Sequence, residues 1–314
     1  LSFVDRIILS LLVTPIKDDL GTTDAQMGLL MGFAFAIFYT LAGIPIAKYS
    51  DVKSRRSIIA IGIFLWSIMT AVCGLAKSFF QLFLARVGVG VGEAALTPAA
   101  YSMISDYFSE EKLGRAMGAY KSGAMVGGGL AFIIGGAVVG YVVNSESIIL
   151  PILGEMKPWQ MAFILVGLPG ILIGLLMLTV REPKRTGLEG SLGERVSISD
   201  AIKYMRERWK LYLFIFLGFA FTATPITTAL TWIPVYLQRI HEMSIADSGK
   251  TLGVIIFFLS TGGVLFSGWL IDFLKKKGFK DGYFRVALSI CVITLPVAYF
   301  VMNDQSLENT LWWL

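Results

Sequence analysis

Eight apolar runs of membrane-spanning length recur along the chain and leave few folds open to it. They cover residues 27–47, 57–76, 79–105, 116–143, 159–180, 211–237, 251–274 and 284–302. A hydrocarbon core of about 30 Å takes about 20 helical residues to cross, and a backbone inside it must satisfy its own hydrogen bonds. Only 16% of the 314 residues are charged and 55% are hydrophobic, against about 25% charged in soluble domains. The pattern predicts an all-α polytopic membrane protein.

The net charge of +5 raises the possibility of a nucleic-acid partner, but the placement of the cations points to topology instead. They gather in alternate loops: Lys48 to Arg56, Lys112 and Arg115, the segment from Arg181 to Lys210, and Lys275 to Arg285. Those loops hold 19 Lys and Arg, against 5 in the intervening ones (Lys17, Lys77, Lys157, Arg239, Lys250). By the positive-inside rule the richer side is cytoplasmic. No nucleic-acid partner is expected. Cys73 and Cys291 lie within apolar runs as small hydrophobes, and the single His241 lies in an outer loop, so no metal or other cofactor is expected.

The spans are predicted at 1–16, 27–48, 55–76, 79–107, 112–143, 158–180, 210–238, 244–274 and 282–302. This gives an N-terminal bundle of six helices over 1–180 and a cytoplasmic linker over 181–208. A C-terminal bundle follows over 209–314, holding spans 7–9 and the start of a tenth. Within the linker, Ser199 or Asp200 is a candidate N-cap for an amphipathic helix whose Ile202, Met205 and Trp209 face one side. The short first span and the SLENTLWWL ending are expected of a piece of a longer chain.

Ionisable residues inside such spans are the functional candidates, since an ionised group at mid-bilayer costs roughly 3 kcal/mol or more and faces a partner or a wet cavity. Arg6 lies about 16 Å inside the boundary marked by Lys17, and Glu93 about 24 Å from Lys77 and about 20 Å from Asp106. Arg86 precedes Glu93 by two helical turns, on the same face. Arg6 is expected to pair with ionised Glu93 across the contact of spans 1 and 4 and to be released on protonation. Asp5 would face its own partner or water. A static pair pinning two helices is the competing reading.

Lys121, about 9 Å into span 5, either snorkels to the cytoplasmic interface or binds an anionic headgroup. The glycines of RVGVGVGE (86–93) lack the strand and the G-K-[ST] ending of a phosphate loop and read as close helix packing. Candidates for the substrate cavity are Tyr39, Thr97 and Tyr101, with Thr224, Thr228 and Trp232 at four-residue spacing on one face of span 7; ordinary bundle packing explains the same residues. A cavity with so few charges suits an amphiphile. No catalytic constellation is present, so an enzyme is not expected; a non-transporting receptor of the same fold is the alternative from another class.

Two loops repeat one design. AKYSDVKSRR follows span 2 and GWLIDFLKKKG follows span 8, so Asp51 aligns with Asp272 ahead of clustered cations. Repeated halves are typical of transporters. AKYSDVKSRR resembles the G-x-L-x-D-R-x-G-R-R signature of the major facilitator superfamily, with Ala47, Val52 and Ser54 at three of its positions. GWLID matches it at Gly268, Leu270 and Asp272. RVGVGVGE and SGAMVGGGLAFIIGG (122–136) resemble the superfamily's helix 4 and helix 5 motifs, with Gly128 where many members have Pro. Within the superfamily, DR in span 1, PIKDDLGTTDAQMGLLMGFAFAIFY, GIPIAKYSD and GVGEAALTPAAYSMISDYF resemble the spinster-like branch, most densely over 3–136.

That resemblance implies two pseudo-symmetric six-helix bundles, the second incomplete here, working by alternating access. It carries proton coupling to Asp5, Arg6 and Glu93, with Arg86 beside them. It implies amphiphilic substrates such as lysolipids and sphingoid phosphates, with small organic acids or sugar acids as the runner-up. Membrane lipids and protons are the other partners, and the protein is expected as a monomer in the bacterial inner membrane. Asp51, Arg55 and Arg56, with Asp272 and Lys275 in the second copy, would latch the cytoplasmic helix ends; a solvated topogenic loop is the bland alternative.

Overall fold

The computed structural model describes residues 2–143, 148–150, 154–185, 198–279, 281–303 and 306–313. Among these, eight helices are long and apolar enough to cross a membrane, in agreement with the eight apolar runs. The first span is α1 (Ser2–Leu11) and α2 (Val13–Leu20), broken at Leu12. It ends four residues beyond the predicted boundary, at Gly21, which takes the left-handed conformation (φ +62°) that a glycine cap permits. Span 2 joins α3 (Asp24–Gly28), a π-helical turn (Leu29–Phe33) and α4 (Ala34–Ser50). Its start is set by a capping box in which Thr23 accepts from the Gln26 N–H and the Gln26 side chain accepts from the Thr23 N–H.

Span 3 is α5 (Arg55–Cys73). Span 4 divides into α6 (Phe79–Glu93) and α7 (Leu96–Tyr107), and span 5 is the 34-residue α8 (Glu110–Val143). A two-stranded antiparallel hairpin, β1 (Ile148–Leu150) and β2 (Gly154–Met156), then precedes α9 (Pro158–Gly167) and α10 (Pro169–Met177), which form span 6. The hairpin was not expected from an all-helical pattern; three-residue strands carry no periodicity long enough to read.

Next come α11 (Ile198–Glu207), α12 (Trp209–Ile240), α13 (Ile245–Ile255), a second π-helical turn (Ile256–Ser260), α14 (Thr261–Lys276), α15 (Gly282–Asn303) and α16 (Leu307–Trp313). Because α11 already begins at Ile198, Ser199 and Asp200 are inside its first turn and neither is the N-cap. Trp209, expected on the linker helix, opens α12.

Three helix interruptions have one cause. Proline lacks an N–H and its ring crowds the carbonyl four residues back, and Pro15, Pro98 and Pro169 stand just after the breaks at Leu12, Ala94–Ala95 and Leu168. The carbonyl that Pro15 leaves open, that of Leu11, accepts from the Gln238 side chain at 3.5 Å.

The chain forms two compact units, residues 1–184 with 234–261, and residues 185–233 with 262–314. The division after Lys184 lies close to the predicted end of the first bundle, but the end of α12 and all of α13 join the first unit. The reason is glycine. A Cβ on Gly249 would meet the Gly136 Cα at 2.7 Å, and one on Gly253 would meet the Gly129 carbonyl oxygen at 2.7 Å, so α13 and α8 touch backbone to backbone. Ionic contacts fasten the same end of the unit: Asp24 accepts from Lys17 at 2.8 Å and from Arg239 at 2.9 and 3.1 Å, and Asp19 accepts from Trp159 at 2.8 Å and pairs with Lys157.

The glycines of RVGVGVGE serve packing too. A Cβ on Gly92 would lie 2.6 Å from the Trp66 nitrogen on α5, and one on Gly90 would lie 2.7 Å from the Phe35 carbonyl oxygen on α4. Overpacking of this kind costs about 1–3 kcal/mol. Gly92→Ala is therefore expected to lower the thermal unfolding midpoint of the detergent-purified protein by several degrees. Gly43→Ala, whose Cβ meets nothing within 4 Å, should leave it unchanged or slightly higher.

Candidate functional site

Successive residues of a helix leave it about 100° apart, so Asp5 and Arg6 of α1 point to different neighbours. Arg86 and Glu93, two turns apart on α6, share a face and receive one each. Arg6 donates from Nε to Glu93 Oε2 at 2.8 Å and pairs with the same oxygen through Nη2. Glu93 is buried, whereas the Arg6 side chain is 40% exposed; the pair has one closed and one open end. Glu93 is the last residue of α6, at the break enforced by Pro98, and its Oε1 is buried with no hydrogen-bond partner among the described residues. The expected contact of spans 1 and 4 is thus present in the structure.

Aromatic rings hold the guanidinium from the other sides. The Phe35 ring centroid lies 4.3 Å from Arg6 Cζ, with Tyr39 at 5.7 Å and Phe3 at 5.9 Å. Rings at these distances attract the cation through their quadrupoles. Tyr39 stacks on Phe35 and its hydroxyl hydrogen-bonds Thr97 Oγ1 at 3.1 Å; Tyr101 meets Tyr120 edge to face at 5.4 Å between centroids. Tyr39, Thr97 and Tyr101 therefore belong to one polar-aromatic wall of the first unit. Phe35 and Tyr120 belong with them and were not predicted. Phe35 sits one turn before Tyr39, a spacing that could have revealed it, while Tyr120 is hidden in the sequence by the glycines of span 5.

One layer away, Arg86 is buried and donates from Nη1 to the main-chain carbonyl of Asp5 at 3.0 Å. Its target is the backbone, and Asp5 Oδ1 and Arg86 Nε have no partner among the described residues. Lys121 is exposed on α8. Thr224 and Thr228 are exposed and Trp232 half-buried on the part of α12 that belongs to the second unit, still on one stripe.

In the loop after span 2, one of the expected latch residues turns inward. Arg55 is fully buried. It donates to Glu182 Oε1 at 2.9 Å, to the Ser102 hydroxyl at 2.9 Å and carbonyl at 3.1 Å, and to the Pro183 carbonyl at 3.0 Å, and it pairs with Asp106. Glu182 caps the start of α5, accepting from the main-chain N–H groups of Arg55 at 3.2 Å and Arg56 at 2.8 Å and from the Ser54 hydroxyl at 2.8 Å, where the helix dipole favours an anion. Arg55 thus clamps spans 3 and 4 to the segment after span 6. Pulling a buried guanidinium from such partners costs about 3–5 kcal/mol. Arg56 reaches the Val180 carbonyl at 3.5 Å, and Asp51 is exposed at the end of α4. The side chains of Asp272 and Lys275 lie outside the described residues. Glu182 and Asp106 were missed as partners, although the polar Arg-Glu-Pro directly after span 6 was visible in the sequence.

A helical bundle of membrane-spanning length, with an ion pair and hydroxyl-bearing aromatics between spans 1, 2 and 4, defines an integral membrane transporter. The profile of the Major Facilitator Superfamily matches residues 1–314, and the chain belongs to that superfamily, whose members transport solutes. It is 29% identical over 98% of its length to an MFS-type efflux pump of Mycolicibacterium smegmatis, of which it spans 68%. It is 30% identical over 96% of its length to a D-galactonate transporter of Escherichia coli O6:H1, of which it spans 71%. Its fold superposes on the crystal structure of a bacterial homologue of the human lysosomal transporter spinster, in an inward-facing and unoccupied conformation. That match has a TM-score of 0.78 and 30% identity, covering 99% of this chain and 68% of that one. The spinster-like resemblance therefore runs along the whole chain.

The Arg55 clamp has a pH signature. Burial alone would raise the Glu182 carboxyl, but the bonds from Arg56, Arg55 and Ser54 outweigh it and hold it below its ordinary 4.5. A depressed folded value means that its stabilisation is complete above the unfolded value and is lost as pH falls through the folded one. The unfolding midpoint should fall as pH drops below 4.5. Glu182→Gln should lower the midpoint at neutral pH and flatten that acid dependence, as read by thermal unfolding across a pH series.

Proposed function

We propose that the protein is a proton-coupled secondary transporter that moves an organic anion by alternating access, with an amphiphilic, lipid-like anion as the preferred substrate. The Arg6–Glu93 pair carries this reading. An ionised Glu93 occupies Arg6; a proton taken up on the carboxylate cancels the attraction and frees an arginine that is already open on one side and framed by aromatic rings. A freed guanidinium offers a forked donor set to a carboxylate or phosphate, and the rings beside it suit an apolar chain. Asp5 and Arg86 form the adjoining layer of the same relay. The backbone contact of α13 with α8 supports a state closed at the outer end of the first unit. The protein is proposed to act as a monomer in the bacterial inner membrane.

A second reading, transport of a sugar acid, is favoured by the hydroxyls of Tyr39, Thr97, Tyr101 and Tyr120 on the polar-aromatic wall, which suit a polyhydroxy carboxylate, and by the relative named for D-galactonate transport. Thermal-shift titration with a lysolipid and with a hexuronate separates the two: stabilisation by the lysolipid alone supports the first, by the hexuronate alone the second.

Proton coupling is tested by flux of the stabilising ligand into proteoliposomes of the full-length protein, with and without an imposed pH gradient. Glu93→Gln, a neutral acid mimic, should abolish acceleration by the gradient while ligand binding persists. Gradient-driven flux as fast as in the wild type would remove Glu93 from the coupling role.

A further inference from the structure

The linker helix α11 (Ile198–Glu207) has no part in the site described so far. It stops at Glu207 and α12 starts at Trp209, so a break at Arg208 frees α11 from the axis of span 7. The Arg208 N–H still donates to the Tyr204 carbonyl at 3.3 Å, which keeps Arg208 on the last turn of α11. Ile202 and Met205, one turn apart, form an apolar stripe and are 59% and 36% exposed. Exposure alone does not single them out, since apolar residues of the membrane span α12, such as Phe214 and Phe219, are exposed too. The charges around the stripe do.

Successive residues leave a helix about 100° apart. On that rule Arg206 projects about 70° to one side of the Ile202–Met205 stripe and Arg208 about 90° to the other. Lys203 lies beyond Arg206 on the same side, while Asp200 and Glu207 project from the opposite face. Cations therefore border the stripe and the acids face away from it. A helix lying on a bilayer has this arrangement: its apolar side chains sink below the headgroups, and long basic side chains beside them reach up to the phosphates. A solvated linker has no use for the stripe, and ten residues make too short a helix to persist by propensity alone.

Depth agrees with a membrane surface. The apolar run of α12 opens at Leu211, so Arg208 and Arg206 stand about 5 and 8 Å beyond the hydrocarbon boundary even along a straight helical path. Headgroups occupy about 5–8 Å beyond that boundary. Trp209, at the corner, is 56% exposed, and the Arg208 guanidinium carbon lies 4.6 Å from the Tyr204 ring centroid; Trp and Tyr favour this level of a membrane. The side is the cation-rich one, cytoplasmic by the positive-inside rule, where anionic lipids attract basic segments next to a span.

We propose that α11 docks on the cytoplasmic leaflet, with Ile202 and Met205 entering the bilayer and Arg206 and Arg208 binding the phosphates of anionic phospholipids. The entry to span 7 is thereby anchored by lipid. The docking depends on neither the substrate nor proton coupling.

The test is hydrogen–deuterium exchange of the full-length protein in nanodiscs of phosphatidylcholine, alone or mixed with phosphatidylglycerol. A cation near an anionic leaflet shifts such a docking equilibrium about fivefold. The amides of residues 202–208 should exchange several-fold more slowly in the anionic membrane, and raising the salt concentration should abolish the difference. Arg206→Gln combined with Arg208→Gln should remove most of it, while Asp200→Asn, on the opposite face, should leave it in place. Should the double variant fail to fold, the salt series on the wild type answers the same question. Equal exchange in the two membranes overturns the proposal, whether fast, as in a solvated linker, or slow, as in a helix covered by another segment of the chain or by a soluble protein. A difference that survives high salt or the loss of both arginines overturns it as well.

Discussion

Charge carried into a low-dielectric interior governs how this molecule is built. An ionised side chain taken out of water loses more in hydration than most single contacts return, so each buried charge dictates where other helices must come. Arg6 and Glu93 bring span 1 onto span 4. The rings of Phe35 and Tyr39 bring span 2 onto the same guanidinium, and the carbonyl of Asp5 takes up Arg86. Three of the six helices in the first bundle are thereby registered against one another by a few polar atoms.

The first unit contains two ionic centres with opposite designs. Around Arg55, guanidinium donors, helix-end N–H groups and two carboxylates are matched to one another. Around Arg6 and Asp5 the matching is incomplete: Glu93 Oε1, Asp5 Oδ1 and Arg86 Nε are buried without hydrogen-bond partners among the described residues. A fully satisfied network is rigid, and an unsatisfied one costs about 1–3 kcal/mol per group. The mid-membrane centre is the one held short of satisfaction.

Small residues and prolines set the geometry between those centres. Gly92 lets α6 approach α5, and Gly129 and Gly136 let α8 meet α13 at backbone distance. Pro98 stands just beyond the end of α6 at Glu93. The break costs a helical hydrogen bond and places Glu93 at a discontinuity, where a side chain has room to change partner.

Much of this was legible before any coordinates. Length and hydropathy alone decide the number of helices, because a bilayer tolerates no unpaired backbone. Depth counted along each helix sufficed to pair Arg6 with Glu93, since few groups at that depth can neutralise each other. The sequence could not show that Arg55 turns inward to Asp106 and Glu182, residues 51 and 127 positions away; a cation cluster in a loop looks alike whether solvated or clamped. Nor could it show that Phe35 and Tyr120 line the same wall as Tyr39, or that the end of span 7 packs with the first unit. Those depend on the rotation and approach of whole helices, which are set by contacts between residues far apart in the chain and leave no periodic trace in it.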